Sequence, residues 1–85
     1  MWYVYVIKSF LYENKWYTGV TNDLKRRIME HNSGKSTYTK HRGPYKLLYY
    51  EASFNEKDAK AREKYLKSGV GKRYLKNRLK YLLGE

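Results

Sequence analysis

With 85 residues, 19 Lys and Arg against eight Asp and Glu, and a net charge of +11, the chain has room for one domain, residues 1–85, and one modest core. It contains no cysteine, which excludes a disulfide framework and a thiolate metal site. No apolar run approaches the ~20 residues of a membrane span and no signal-peptide stretch follows Met1, so a soluble cytoplasmic protein is expected.

Aliphatic residues are scarce enough, at this charge, to border on disordered composition. Eleven Tyr and two Trp tip the balance towards a folded chain, because each ring can bury a large area. The charge is spread evenly: nine Lys or Arg against four acids over residues 1–54, and ten against four over 55–85. A basic domain without a detachable tail suits a polyanion, and phosphate backbones are the commonest one. A solvated lysine-rich surface is the alternative.

In chain order, residues 2–8 are dense in β-branched and aromatic types and read as a strand. A turn at residues 11–14 leads to an antiparallel return strand from Lys15 to Val20, which Gly19 closes, permitting a bulge or the close approach of another backbone. Thr21, Asn22 and Asp23 are helix-start residues, and the helix runs to about His31 before Asn32-Ser33-Gly34 stops it. Residues 33–44 form a polar loop, and Tyr45 to Ala52 resumes strand character. Asn55 caps a second helix that runs through Lys67 and ends at Gly69. A third helix, from about Lys72 to Leu83, buries Leu75, Leu79, Leu82 and Leu83 and turns Arg73, Lys76 and Lys80 outward. The expected architecture is α/β: a small three-stranded antiparallel sheet flanked by helices, in the order β-β-α-β-α-α.

Two charged residues fall where apolar ones belong. Leu24, Arg27, Ile28 and His31 are spaced i, i+3, i+4 and i+7, so Arg27 and His31 share the core-facing stripe or its margin. Ala59, Glu63 and Leu66 place a carboxylate on the seam of the second helix. A buried carboxylate needs a partner. That partner is either Arg27, in a salt bridge, or a metal ion. An imidazole at a helix C-terminus is favoured as imidazolium by the dipole.

Tyr3-Val4-Tyr5, Tyr17-Thr18-Gly19, the helix with Arg27 and His31, and the later helix with Glu63 recur in an order and spacing that resemble the GIY-YIG endonuclease family. The likeness is closest to a stand-alone version of the N-terminal nuclease domain of the excision-repair nuclease subunit. Tyr3 stands where the family has its first Gly, and Val4 and Thr18 replace its two Ile. The resemblance implies a hydrolase that cuts DNA phosphodiesters, in a DNA-repair setting, with one divalent ion, Mg²⁺ or Mn²⁺, held by Glu63. It gives Arg27 to the scissile phosphate and Tyr5 and Tyr17 to the attacking water. Which Tyr is the base stays open, with Tyr17 favoured, and His31 assists. Asn77 is the only late Asn that could sit near the metal.

Lys35, Lys40 and Arg42 in the polar loop, and Arg73, Lys76 and Lys80 on the last helix, are candidates for contact with nucleic acid. Branched or nicked DNA and a targeting protein are the expected partners. A non-catalytic basic module that keeps the fold is the alternative function. A small ribosome-associated protein is a third, which leaves Glu63 unexplained.

Overall fold

A computed structural model of the protein describes residues 1–12, 15–35 and 43–84. It has the expected element order: β1 (Trp2–Ser9), β2 (Trp16–Thr21), α1 (Leu24–Asn32), β3 (Tyr45–Ser53), α2 (Glu56–Lys67) and α3 (Gly69–Arg78). The strands form one antiparallel sheet, ordered β2-β1-β3. Glu13 and Asn14 of the expected turn lie outside the described residues.

β1 is central because both of its faces are apolar. Side chains alternate across a strand, and Val4 and Val6 on one face and Tyr5 and Ile7 on the other are all buried. The first face packs with Leu48, Ala59, Leu66 and Leu75, which places α2 and α3 there. The second packs Tyr5, Ile7 and Tyr45 with Tyr17, Leu24 and Ile28, which places α1 there. The β1–β3 register slips between Val6 and Ile7, leaving Leu48 unopposed. This bulge turns both Leu48 and Tyr49 to the α2–α3 face.

Short polar side chains set the helix ends. Thr21 Oγ1 accepts the Asp23 N–H at 3.1 Å, and the Asp23 carboxylate accepts the Arg26 N–H at 3.1 Å. Asn55 accepts from the Lys57 and Asp58 N–H groups. Asn32 does more than stop α1. Its amide accepts the Tyr45 N–H at 2.6 Å and donates to the Tyr45 carbonyl at 3.2 Å, clamping the end of α1 to the start of β3. On the opposite face, Arg62 Nε donates to both oxygens of Glu51 at 3.1 Å, which ties α2 to β3. Its guanidinium also lies 5.0 Å from the ring centres of Tyr65 and Tyr74.

The last helix departs from expectation. Gly69 opens α3 instead of closing α2, because Ser68 in extended conformation serves as cap to both helices. Its hydroxyl donates to the Tyr65 carbonyl at 2.6 Å and accepts the Gly71 N–H at 3.1 Å. The helix stops at Arg78, so the period of 3.6 fails beyond it. Leu75 is buried, Leu79 and Leu83 are half-buried, and Leu82 is exposed. No helix among the described residues is long and apolar enough to cross a membrane.

Gly71 sets how closely α3 can approach α2. A Cβ there would collide with the Tyr65 carbonyl and the Leu66 Cα, both backbone. Gly71→Ala is therefore expected to cost about 1–3 kcal/mol or more, as overpacking does. Urea unfolding checks this: the midpoint should fall, and an unchanged midpoint would show that the two helices separate without cost.

Candidate active site

Tyr5 is the largest fully buried side chain of the sheet, and the absence of a side chain on its neighbour gives its ring a place to lie. Tyr5 pairs with Gly19 across β1 and β2. A Cβ on Gly19 would stand 2.5 Å from the Tyr5 hydroxyl and 2.7 Å from Cζ. The phenol therefore crosses the edge strand over Gly19, where its oxygen meets the end of α1. There the Tyr5 hydroxyl and His31 Nε2 are 2.6 Å apart, both groups buried.

Burial dominates the protonation of this pair. Desolvation pushes the Tyr5 hydroxyl up to about 12; the hydrogen bond from Arg27 opposes it, and the charges of Tyr17 and Glu63 reinforce it. Desolvation and then the Arg27 charge push His31 down to about 4. The expected imidazolium at the helix C-terminus is thus overturned, because burial outweighs the dipole. Both groups are neutral at pH 7. The hydroxyl oxygen accepts from Arg27, which leaves its proton to donate to Nε2, with the imidazole proton on Nδ1. Tyr17 completes an aromatic wall, its ring centre 5.0 Å from that of His31 and 6.4 Å from that of Tyr5.

Arg27 and Glu63 do not pair with each other. Arg27 Nη1 donates to Glu30 Oε1 at 3.0 Å, one turn along its own helix. Burial lowers the Arg27 pKa, but the bonds to Glu30 and Tyr5 outweigh it and the net direction is up. The Glu63 carboxylate, half-buried between Ala59 and Leu66, lies 3.2 Å from Lys67 Nζ. Its charge still reaches the Tyr5 hydroxyl. The structure thus gathers Tyr5, Tyr17, Arg27 and His31, while Glu63 stands on α2, which packs on the other face of the sheet, with its charge still felt at the Tyr5 hydroxyl. Glu30 and Lys67 were missed in the sequence, although each stands one helical turn from the residue it holds.

Of the expected nucleic-acid contacts, Lys35, Arg73, Lys76 and Lys80 are exposed; Lys40 and Arg42 lie outside the described residues. Lys80 follows the end of α3, with its Nζ 5.3 Å from the Tyr81 ring centre. Asn77 is exposed on α3.

The donor set bears on the metal. Among the described residues no three His, Cys, Asp or Glu cluster to form a protein cage. One partly exposed carboxylate fits Mg²⁺ or Mn²⁺, which take oxygen donors and complete their shell with water and substrate phosphate.

Residues 1–80 match the family profile described as the GIY-YIG catalytic domain. The chain is 46% identical over 66 residues to the UPF0213 protein CPE1444 of Clostridium perfringens, covering 76% of this chain and 69% of that protein. It is 41% identical to the UPF0213 protein YazA of Bacillus subtilis, covering 76% and 65%. Among solved structures it resembles the solution NMR structure of the UPF0213 protein BH0048 from Bacillus halodurans. That match has a TM-score of 0.53 and 38% identity, and covers 88% of this chain and 82% of that one. The matched region thus spans about two thirds of the length of the two curated relatives.

Two predictions follow from the Tyr5–His31 pair. Because the folded pKa of His31 lies below its unfolded value, its contribution to stability is present above pH 6.5 and lost as the pH falls towards 4. The loss is about 3 kcal/mol by linkage. Wild type should therefore lose about that much more stability between pH 7 and pH 4 than His31→Gln; parallel curves would show that His31 protonates freely in the fold. Gly19→Ala should cost about 1–3 kcal/mol in chemical denaturation, by driving the Tyr5 ring off the strand. No change would mean that the ring shifts without strain.

Proposed function

This chain belongs to the GIY-YIG family of nuclease domains, and on that premise we propose that it hydrolyses DNA phosphodiester bonds with the aid of one divalent cation. The observation that carries the reading is the 2.6 Å bond between the Tyr5 hydroxyl and His31 Nε2, formed beside Arg27 and within the field of the Glu63 carboxylate.

The hydroxyl–imidazole bond supports Tyr5, rather than Tyr17, in the role of base. A phenol with a pKa near 12 is a poor phenolate reservoir, so Tyr5 acts by relay. Its oxygen takes a proton from the attacking water while its own proton passes to His31 Nε2. The water oxygen bonds to phosphorus, and the bond from phosphorus to the leaving oxygen breaks. The relay requires a neutral imidazole, which burial maintains at physiological pH. Tyr17 walls the site and orients the water.

Arg27 binds the scissile phosphate and stabilises the charge that develops on it. Its present partner is easily exchanged. A partly exposed ion pair contributes up to about 1 kcal/mol, whereas a hydrogen bond to a charged group contributes about 1.5–3 kcal/mol. Glu63 holds the cation, Mg²⁺ or Mn²⁺, with Lys67 swinging aside. When bound, that ion polarises the phosphate and stabilises the leaving oxygen. Arg73, Lys76, Lys80 and Lys35 meet the backbone without reading sequence, so choice among nicked, branched or flapped DNA falls to the basic surface or to a targeting partner.

The test measures nicking of supercoiled plasmid and DNA binding side by side. Wild type should nick with Mg²⁺ and stop with EDTA. Glu63→Gln should lose cutting by about 100-fold or more, as removal of several kcal/mol of transition-state stabilisation implies, while binding is kept or strengthened. Arg27→Ala should weaken both. Nicking by Glu63→Gln at the wild-type rate would sink the assignment. No cutting by wild type on plasmid, flap or branched substrates would mark the chain as a binding module.

A further inference from the structure

A cavity of about 540 Å³ opens beside the candidate active site, between the β1–β2 pair and the α2–α3 corner. Lys8, Lys67, Lys72 and Lys76 line it, together with Trp16 and Tyr17, above a floor formed by Leu66 and Leu75. Four separate elements build this arrangement. Lys8 and Trp16 are cross-strand partners on β1 and β2. Lys72 and Lys76 stand one turn apart on α3, and Lys67 is the last residue of α2.

No acidic residue lines the cavity; Lys67 is already paired with Glu63, so Lys8, Lys72 and Lys76 are the lining cations that converge without a carboxylate in the lining. Such convergence is unfavourable until an anion enters. The interior, by contrast, offers an indole and an apolar floor. An ammonium rim over an aromatic and apolar interior suits a ligand with a flat π-face and attached phosphates, which is a nucleotide. The volume falls in the range of about 300–1,000 Å³ that takes one small molecule. A paired base shows only its edges in the grooves, so only an unpaired base can lay its face against Trp16.

The cavity adjoins the chemistry. Tyr17 lines it and packs 5.0 Å from the His31 ring centre; Lys67 lines it and pairs with Glu63. We infer that this groove is a subsite for an unpaired nucleotide of the substrate strand, with the base against Trp16 and the flanking phosphates on Lys8, Lys72 and Lys76. The substrate class is therefore DNA with a single-stranded stretch next to the scissile bond. The inference rests on the nuclease reading for its placement beside the cut, but its test requires no cleavage.

Binding is measured in EDTA by tryptophan emission in a Trp2→Phe background, so that Trp16 reports. A short oligothymidylate, a blunt duplex of equal length and thymidine monophosphate are titrated in turn. The oligothymidylate should quench the emission. Trp16→Leu should weaken its binding by about fivefold to a hundredfold, the effect of one lost stacked base. Lys8→Ala/Lys72→Ala should weaken it by about tenfold or more and the duplex by less; this pair decides the matter if Trp16→Leu does not fold. Binding without quenching, or an equal loss for duplex and single strand, would overturn the subsite. So would monophosphate binding as tight as that of the oligomer, which would make the cavity a free-nucleotide site. Loss of nicking in Glu63→Gln would leave these outcomes unchanged, so failure of either reading shows separately.

Discussion

The buried bond between the Tyr5 hydroxyl and His31 Nε2 is the interaction on which the rest of the site depends. Two polar groups taken out of water must satisfy each other or incur a penalty of about 1–3 kcal/mol each. Each partner is therefore fixed by the other, and each is fixed again by its own element. Tyr5 lies over Gly19 on the edge strand. His31 is held by the turn that Asn32 clamps to Tyr45. Sheet edge and helix end meet at one oxygen, and Arg27, one turn before His31, is brought to the same oxygen. The geometry of the candidate site is thus a consequence of core packing in which one core residue has a hydroxyl.

The charged groups have a different logic. Arg27 and Glu63 are both held by neighbours on their own helices, Glu30 and Lys67. Pairs of this kind are cheap to break, so they keep each charge oriented and, in the proposed function, compete only weakly with phosphate or metal. A direct Arg27–Glu63 bridge was one reading of the sequence. The intrahelical pairs form because the i,i+3 and i,i+4 partners stand within reach whatever the tertiary fold does.

Much of this was legible before the fold was known, and the reason is periodicity. Leu24, Arg27, Ile28 and His31 mark one stripe of a helix, and a cation and an imidazole on that stripe already stand out. Ala59, Glu63 and Leu66 do the same for the carboxylate. Periodicity fails where backbone contacts take over. Gly69 and Gly71 look alike in sequence, yet Gly69 only opens α3 and Gly71 lets it lie against Tyr65 and Leu66. Leu82 continues the apolar pattern but lies beyond the end of the helix, so it faces water. The imidazolium expectation failed because a helix dipole is a local property and burial is a tertiary one; burial outweighs it here. The lysine-lined groove could not be read at all, since Lys8, Lys67 and Lys72 come together only when β1 meets the α2–α3 corner.

A small basic chain with few aliphatic residues must build its core largely from tyrosine. A tyrosine core carries hydroxyls, and each one that is buried requires a partner. Tyr49 meets that requirement structurally: its hydroxyl donates to Glu51, which Arg62 neutralises, and nothing reactive results. Tyr5 meets it with an imidazole that can accept its proton. The two tyrosines lie on neighbouring strands of the same sheet, both pushed to about 12 with burial as the leading cause. Their difference lies in the acceptor. A carboxylate locked to a guanidinium holds a proton donor in place, whereas a neutral histidine is an acceptor that can also take up the proton. The proposed function enters this fold at the point where the partner that satisfies a buried hydroxyl is also a base.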